Sequence, residues 1–234
     1  MEKRILIGCP TCYRYRYCID SYLDSVKKLD YANYTLLFVD NSPDDSLFKE
    51  LKEKGVNVEK IEYCEPARER IVNSRNFILD KAIKENYDYL LSLEQDIIVA
   101  PDTIKRLLAC KKEIVSAYYG KKVVLLIQDK ETGEVKKVLI ELPVVYFEEG
   151  NTIRRANPNE VLNKGIIEVG AIGLGCILIS REVFKKIRFR YEKSKPAFDD
   201  MYFSEDVRKL GYKIYLCSDV DIKHLHIPWE NIEK

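Results

Sequence analysis

The segment YDYLLSLEQD, residues 87–96, joins a nearly continuous apolar strand to the acidic residues Glu94 and Asp96. Further apolar strands are predicted at residues 4–9, 34–39, 56–61 and 114–119. Segments with helical periodicity lie between them, at residues 17–29, 47–54, 67–83 and 101–110. Strands that are apolar on both faces and are separated by helices are typical of a parallel, doubly wound sheet. The sequence therefore predicts an α/β fold.

The second half of the chain has a different pattern. Apolar segments at 123–128 and 135–142 flank the sequence DKETGE and predict a β-hairpin or loop excursion. A Gly-rich segment at 169–184 predicts a turn, a strand and a short helix, and further strands are expected at 211–216 and 219–227. Because no linker or low-complexity tract separates the halves, we expect residues 1–234 to form one domain with a smaller mixed β excursion.

The composition is that of an ordinary soluble globular protein. The 234 residues are 46% hydrophobic and 33% charged, and the formal net charge of +1 gives no electrostatic basis for binding nucleic acid. The sequence predicts neither a signal peptide nor a stretch of about 18 apolar residues that could span a bilayer. Seven scattered cysteines form an odd set, which favours reduced thiols and a cytoplasmic location.

Cys9 and Cys12 form a CxxC motif directly after the first predicted strand. A redox CxxC stands at a helix N-terminus, where the helix dipole lowers a thiol pKa, but the first predicted helix begins about five residues past Cys12. A structural zinc site needs two further ligands, and the sequence has no second CxxC. We therefore interpret both thiols as packing residues, with a redox or metal role as the lesser alternative.

Polar residues follow three of the predicted strands, at the edge where an open parallel sheet binds its ligands. Pro10 and Thr11 follow the first strand, Asp40 and Asn41 the second, and Glu94 and Asp96 the fourth. Carboxylate oxygens are preferred ligands of hard divalent cations. The sequence thus predicts a cation-dependent site at this edge.

Five segments, in this order, resemble GT-A-fold glycosyltransferases of family 2. They are ILIGCPTCYR (5–14), LLFVDNSPDD (36–45), NSRNFILDKA (73–82), YLLSLEQDIIVAPDTIKRLL (89–108) and FDDMYFSEDVRKLGYKIYLCSDVDIKH (198–224). Together they cover most of residues 4–224, and residues 120–165 match the family poorly. The family's Asp-x-Asp motif corresponds here to Glu94-Gln95-Asp96.

The resemblance implies a role for each matching residue. It implies metal ligation by Asp96 and His224, and catalysis by Asp200 with its neighbour Asp199. It implies donor binding by Pro10, Thr11, Asp40, Asn41, Arg75, Glu94, Gly173 and Gly175. It also divides the chain into a nucleotide-sugar-binding half, about 1–119, and an acceptor-binding and catalytic half, about 120–234.

Two of these assignments have alternatives in the sequence. Glu205-Asp206 is closer to the family's acidic pair by identity, but Asp200 stands eleven residues before Gly211, which is the family's spacing. His224 stands thirteen residues after Gly211, and His226 is the alternative. Asp40 could instead serve only its Asp-Asn-Ser-Pro turn, and Arg75 could form a salt bridge with Asp80 or Glu69.

The expected function is a metal-dependent, inverting glycosyltransferase of the hexosyltransferase type, using Mn²⁺ or Mg²⁺. A UDP-sugar is the favoured donor and a GDP-sugar the alternative; the acceptor is a glycan, a lipid-linked molecule or a small molecule. The sequence shows no amphipathic anchor, and peripheral membrane contact is left open. A non-catalytic GT-A-like module that binds nucleotide or glycan is the alternative function. A nucleotidylyltransferase is disfavoured because no Gly-rich loop follows the first strand.

Overall fold

The computed structural model describes residues 2–128, 133–150, 152–220 and 222–225. Its strands are β1 Ile5–Thr11, β2 Tyr34–Asp40, β3 Val58–Lys60, β4 Tyr89–Leu93, β5 Ile97–Val99, β6 Ile114–Ala117, β7 Gly120–Gln128, β8 Val135–Pro143, β9 Val145–Glu149, β10 Thr152–Arg155, β11 Ile166–Val169, β12 Ala171–Ile172, β13 Cys176–Ser180, β14 Ile214–Cys217 and β15 Ile222–His224. Its helices are α1 Ile19–Lys27, α2 Ser46–Glu53, α3 Ala67–Lys84, α4 Thr103–Ala109, α5 Pro158–Val161, α6 Arg181–Phe184 and α7 Asp199–Lys209.

The main sheet has eight strands in the order β11-β14-β6-β13-β4-β1-β2-β3. The pairs β1–β2, β1–β4, β2–β3 and β6–β14 are parallel, which confirms the predicted α/β sheet. The strand β13 lies antiparallel between β4 and β6, and β11 pairs antiparallel with β14. The sheet is therefore mixed, and the first half of the chain supplies the parallel strands β4-β1-β2-β3 on one side of it.

Three small antiparallel sheets account for the β excursion of the second half. They are β10-β9-β12, the pair β5–β15 and the hairpin β7–β8. The last predicted strand, 219–227, is shorter than expected: β15 covers three residues and pairs with β5 instead of joining the main sheet. His226 lies outside the described residues.

The core consists of two apolar layers, one on each face of the main sheet. Along β1 the side chains alternate between them, because Ile5, Ile7 and Cys9 pack into one layer and Leu6 into the other. Cys9 is fully buried, and this burial raises the pKa of its thiol well above the usual value. The fold thus places Cys9 as a packing residue of β1.

The first predicted helix begins later than expected. Residues Tyr13–Cys18 form a 3₁₀ helix, and α1 begins only at Ile19. Consequently Cys12 is not at the N-terminus of an α-helix, where the dipole would activate a thiol. Among the helices of the described ranges, none is long and apolar enough to cross a membrane.

Close packing of α3 on β1 explains a glycine in the middle of the first strand. A Cβ built on Gly8 would lie 2.3 Å from Cγ2 of Ile78 in α3. We expect Gly8→Ala to lower the free energy of unfolding by about 1–3 kcal/mol through overpacking, measured by urea denaturation.

The control for this prediction is a double-mutant cycle. Ile78→Ala alone should cost about 2–5 kcal/mol through the cavity that it leaves. If the clash with Ile78 is the cause, the double variant Gly8→Ala with Ile78→Ala should lose less free energy of unfolding than the two single variants together. We expect the difference to be about 0.5 kcal/mol or more. Strict additivity would contradict the packing explanation.

Candidate active site

A cavity of about 430 Å³ lies at the carboxyl ends of the parallel strands β1, β2 and β4. It is lined by ten of the twelve residues that the sequence analysis predicted: Pro10, Thr11, Asn41, Arg75, Glu94, Asp96, Gly173, Asp199, Asp200 and His224. The other two, Asp40 and Gly175, are not among its lining residues. The fold therefore brings together residues from both halves of the chain at the edge expected for ligand binding.

Asp96 and His224 lie side by side in this cavity. Pairing of β15 with β5 sets His224 opposite Ile97, the residue after Asp96, and Nε2 of His224 lies 3.1 Å from Oδ2 of Asp96. The other ring nitrogen, Nδ1, lies 2.7 Å from the carbonyl oxygen of Gly120 and donates to it. Burial lowers the pKa of His224, but the hydrogen bonds to Asp96 and Gly120 and the charges of Asp96 and Glu94 together raise it more, so the net shift is upward.

Arg75 is the buried centre of a second network. The side chain is 4% exposed, and its Nη1 donates to Oγ of Ser92 at 2.5 Å. Its Nη2 donates to Oε1 of Glu94, and its Nε lies 2.6 Å from Oδ2 of Asp199. Arg75 thus contacts three side chains of the protein and forms ion pairs with two carboxylates of the cavity.

The alternative partners considered for Arg75 were wrong. Asp80 pairs with Arg188, and Glu69 accepts a hydrogen bond from the hydroxyl of Tyr191 at 2.6 Å. The nearest acids to Arg75 come instead from the end of β4 and the start of α7.

Asp200 stands in the first turn of α7, beside the buried Asp199. Its Oδ1 accepts a hydrogen bond from the backbone N–H of Met201 at 2.8 Å. Burial, reinforced by the charge of Asp199, raises the pKa of Asp200 to about 6. A carboxyl group with this pKa is largely ionised at neutral pH and is basic enough to accept a proton.

The competing acidic pair lies further along α7 and away from the cavity. Asp206 binds the guanidinium of Arg190 through both carboxylate oxygens, at 2.7 and 2.9 Å, and Glu205 pairs with Lys209. Neither residue lines the cavity. Asp200, which was chosen by its spacing, does line the cavity, and its catalytic role stays a prediction.

Asp40 is fully buried and is held by its own turn. Its Oδ1 accepts from the N–H and the hydroxyl of Ser42, at 2.9 and 2.5 Å, and its Oδ2 pairs with Nζ of Lys60 at 3.0 Å. Asn41, the next residue, lines the cavity and donates from Nδ2 to Oγ of Ser74 at 2.9 Å. These contacts support the turn-forming role of Asp40, and its contact with a donor stays a prediction.

Packing against Tyr119 requires glycine at positions 173 and 175, and the sequence did not indicate this contact. A Cβ on Gly173 would lie 2.1 Å from the Tyr119 hydroxyl, and one on Gly175 would lie 2.7 Å from Cζ of the same ring. The N–H of Gly175 donates to the Tyr119 hydroxyl at 2.9 Å, and the ring packs edge-on against His224 at 5.5 Å. The absence of a Cβ at these two glycines therefore makes room for Tyr119, and their contact with a donor stays a prediction.

Several cavity residues were assigned no role from the sequence. They are cations and aromatics: Arg70, Lys121 and Arg155, with Tyr15, Tyr119, Tyr146 and Phe198. Lys121, Tyr146 and Arg155 fall in the region that matches the family poorly, so no motif indicated them. An isolated Lys or Tyr in an unmatched segment is more often a solvated surface residue, and only the fold brings these side chains to the cavity.

A model of glycosyl transferase family 2 matches residues 10–188. The chain belongs to glycosyl transferase family 2. The resemblance stated from the sequence is thereby confirmed, and the match spans the residues from the end of β1 to just beyond α6. Comparison of the family 2 chain with curated proteins returns no match.

Solved structures share the fold of this family 2 chain. S. aureus TarS 1–349 superposes with a TM-score of 0.58 at 16% identity, over 94% of this chain and 59% of TarS 1–349. A197 from STIV gives a TM-score of 0.50 at 17% identity, over 96% and 86%. TarS 1–349 has also been solved with UDP and with UDP-GlcNAc. The chain spans about three fifths of the TarS 1–349 structure, and likeness at this identity establishes the fold alone.

The buried network predicts a large effect of removing the Arg75 charge. Arg75→Met leaves Glu94 and Asp199 without their cation, and we expect it to lower the free energy of unfolding by about 3–5 kcal/mol in urea. Adding Asp199→Asn should restore part of this loss, because it removes one of the stranded charges.

A matched control is Arg188→Met, which breaks an Arg–Asp pair whose arginine side chain is 57% exposed. Surface pairs contribute about 1 kcal/mol or less, so this variant should unfold close to the wild type. Equal losses of unfolding free energy for the two arginine variants would mean that the buried Arg75 network contributes no more to stability than an exposed ion pair.

Proposed function

We propose that the chain is a metal-dependent, inverting glycosyltransferase that moves a hexosyl group from a nucleotide diphospho-sugar to an acceptor hydroxyl. The observation that carries this proposal is that Asp96, His224 and Asp200 line one cavity at the carboxyl edge of the sheet. Carboxylate and imidazole ligands suit a divalent cation, and a carboxyl group with a raised pKa suits a general base. Membership of family 2 supports the same reaction class.

Asp96 and His224 fit a bound cation. The Gly120 carbonyl fixes Nδ1 of His224 as a donor, which is the arrangement that directs Nε2 of a metal-ligating histidine at its ion. The described residues contain no group of three or more His, Cys, Asp or Glu that could hold a metal ion. We therefore propose that Asp96 and His224 hold Mn²⁺ or Mg²⁺ together with oxygens of the diphosphate and water. The cation would supply charge neutralisation at the leaving diphosphate.

Asp200 is the proposed base. As the acceptor oxygen forms its bond to C1 of the sugar, the C1–O bond to the diphosphate breaks and its electron pair leaves with the nucleoside diphosphate. The Asp200 carboxylate accepts the proton of the acceptor hydroxyl, so charge balances in this single displacement. A direct displacement of this kind inverts the configuration at C1. Asp199 does not share the task, because its carboxylate lies against Arg75.

The remaining lining residues fit the two ends of a nucleotide-sugar. Asn41 and Glu94 present an amide and a carboxylate to the cavity beside Thr11, which suits the hydroxyls of ribose and sugar. Arg70, Lys121 and Arg155 balance the acids and suit phosphate oxygens. Because TarS 1–349 has been solved with UDP and UDP-GlcNAc, we propose a UDP-sugar as the donor and a GDP-sugar as the alternative.

Substitutions at two acids separate this function from a non-catalytic binding module. Asp200→Asn should lower the transfer rate by about 10²- to 10⁴-fold and leave UDP affinity unchanged, because only the proton acceptor is lost. Asp96→Ala should instead abolish the Mn²⁺-dependent part of UDP binding. Calorimetric UDP titrations with and without Mn²⁺, and nucleotide release across a panel of UDP- and GDP-sugars, measure both effects.

Asp206→Asn is the matched control, since it removes a carboxylate from the same helix outside the cavity. It should transfer sugar at the wild-type rate. Binding of UDP without turnover of any donor by the wild type would favour the binding module. Absence of both binding and turnover would overturn the proposal as a whole.

The raised pKa of Asp200 predicts an acid limb in the pH dependence. A general base must be ionised, and the pKa of Asp200 is raised to about 6. The value of kcat/KM should therefore be constant at neutral pH and fall by about tenfold per unit as the pH drops below that pKa. The residual activity of Asp200→Asn should lack this limb. A wild-type profile that stays flat through pH 6 would exclude Asp200 as the base.

A further inference from the structure

The hairpin β7–β8, here called the ribbon, carries an unusual concentration of exposed apolar side chains. Val124, Leu125, Leu126 and Ile127 are exposed on β7, and Val135, Val138 and Leu139 on β8. Leu126 and Leu139 are the most exposed of these, at 67% and 61%. No ribbon side chain of the described ranges belongs to either apolar layer of the core.

Both faces of the ribbon are apolar. Cross-strand partners share a face, so Leu125 and Val138 lie on one face, and Val124 and Leu139 lie on the other. A hairpin with one face packed on protein and one in water shows alternating apolar and polar residues. Residues 123–127 are instead five consecutive apolar residues. Each face of the ribbon therefore offers apolar side chains to an apolar surface.

Lysines accompany the apolar residues on each face. Lys121 and Lys136 share a face with Leu125, and Lys122 and Lys137 share the other with Leu126. The acids of the described ribbon are Glu134, which pairs with Lys136, and Glu141, which packs over Gly120. Lysine stems can lie along apolar surface while their ammonium groups reach anionic headgroups.

We propose that the ribbon docks the domain on the surface of an anionic lipid bilayer. The two open edges of the ribbon carry unpaired backbone groups, which hydrocarbon does not tolerate, so the ribbon lies in the interfacial region and does not span the bilayer. The connection at residues 129–134, DKETGE, is highly charged. These charges disfavour insertion of the connecting end of the hairpin into the hydrocarbon of the bilayer.

The position of the ribbon connects this docking to the cavity. Gly120, its first residue, accepts the hydrogen bond from His224, and Lys121 and Val144 line the cavity. A ribbon on the bilayer surface therefore sets the cavity beside the lipid headgroups. Where the proposed function holds, the acceptor hydroxyl belongs to a lipid-linked molecule presented from that surface.

Vesicle co-sedimentation with the full chain tests the docking without use of the enzymatic activity. The probes are vesicles of phosphatidylcholine alone and of phosphatidylcholine mixed with phosphatidylglycerol. We expect binding to the anionic vesicles, and a loss of about tenfold or more in affinity for Leu126→Glu with Leu139→Glu, which charges one face of the ribbon. Lys136→Gln with Lys137→Gln should weaken binding to anionic vesicles by about tenfold, and raised salt should remove the difference.

Leu210→Glu is the matched control, because Leu210 is an exposed leucine at the end of α7, outside the ribbon. It should bind vesicles as the wild type does. All variants should keep the wild-type melting temperature, since the substituted side chains lie outside the core layers. Failure of the wild type to bind anionic vesicles, or undiminished binding by the ribbon double variant, would overturn the proposal.

Sedimentation velocity of the same samples distinguishes a lipid surface from a second copy of the chain as the occupant of the ribbon. If it shows a dimer that the ribbon double variant dissociates, and vesicles do not bind, a second copy covers the ribbon and the bilayer proposal fails. UDP titration of these samples tests the proposed function independently. Vesicle binding without UDP binding would support docking on lipid and contradict the proposed transferase. UDP binding without vesicle binding would contradict only the docking.

Discussion

The buried guanidinium of Arg75 is the interaction on which the cavity depends. A charge at that depth is stable only when it is paired and its donors are satisfied. Glu94 and Asp199 supply the opposite charge, and Ser92 accepts a further hydrogen bond while donating its own to the Leu174 carbonyl at 2.9 Å. These partners come from the end of β4 and the start of α7. The network therefore fixes α7 relative to the loop that carries Glu94, and it positions Asp200 because the neighbouring Asp199 is held by Arg75.

The antiparallel strand β13 explains how the second half of the chain reaches the same site. In a parallel sheet only the loops after each strand reach the carboxyl edge. An antiparallel strand inserted among them contributes the loop before it. Cys176 pairs with Leu93, so the turn through Gly173 and Gly175 arrives beside Glu94, whose N–H donates to the Gly175 carbonyl at 2.9 Å. Tyr119 fills the space under this turn, which explains why both positions are glycine.

Parts of this arrangement could be predicted from sequence because they are local. The strands β1, β2, β4 and β6 are apolar on both faces, and their burial leaves a continuous signal in the chain. Short strands such as β5 and β12 are too brief for any periodicity, and an apolar run does not reveal that β13 is antiparallel. The site residues at strand ends were predicted from their position directly after apolar strands. The family resemblance gave them roles, and the family's spacing selected Asp200 over Asp206. The partners of Arg75 and the packing of Tyr119 depend on contacts between distant segments, for which a single sequence gives no signal.

One hydrogen bond, from Nδ1 of His224 to the carbonyl of Gly120, joins the proposed cation site to the ribbon and would link surface binding to the chemistry. His224 is fixed from two sides: Asp96 faces Nε2, and the carbonyl of Gly120 accepts from Nδ1. Gly120 begins β7, so any contact that orders the ribbon also orders the acceptor of that hydrogen bond. A two-stranded ribbon alone is marginally stable in water. At its base, the carbonyl of Gly120 accepts from His224 and the carbonyl of Pro143 accepts from Arg155. Docking of the ribbon on a lipid surface would thus restrain the histidine that completes the proposed ligand pair, at the place where the proposed lipid-linked acceptor would enter.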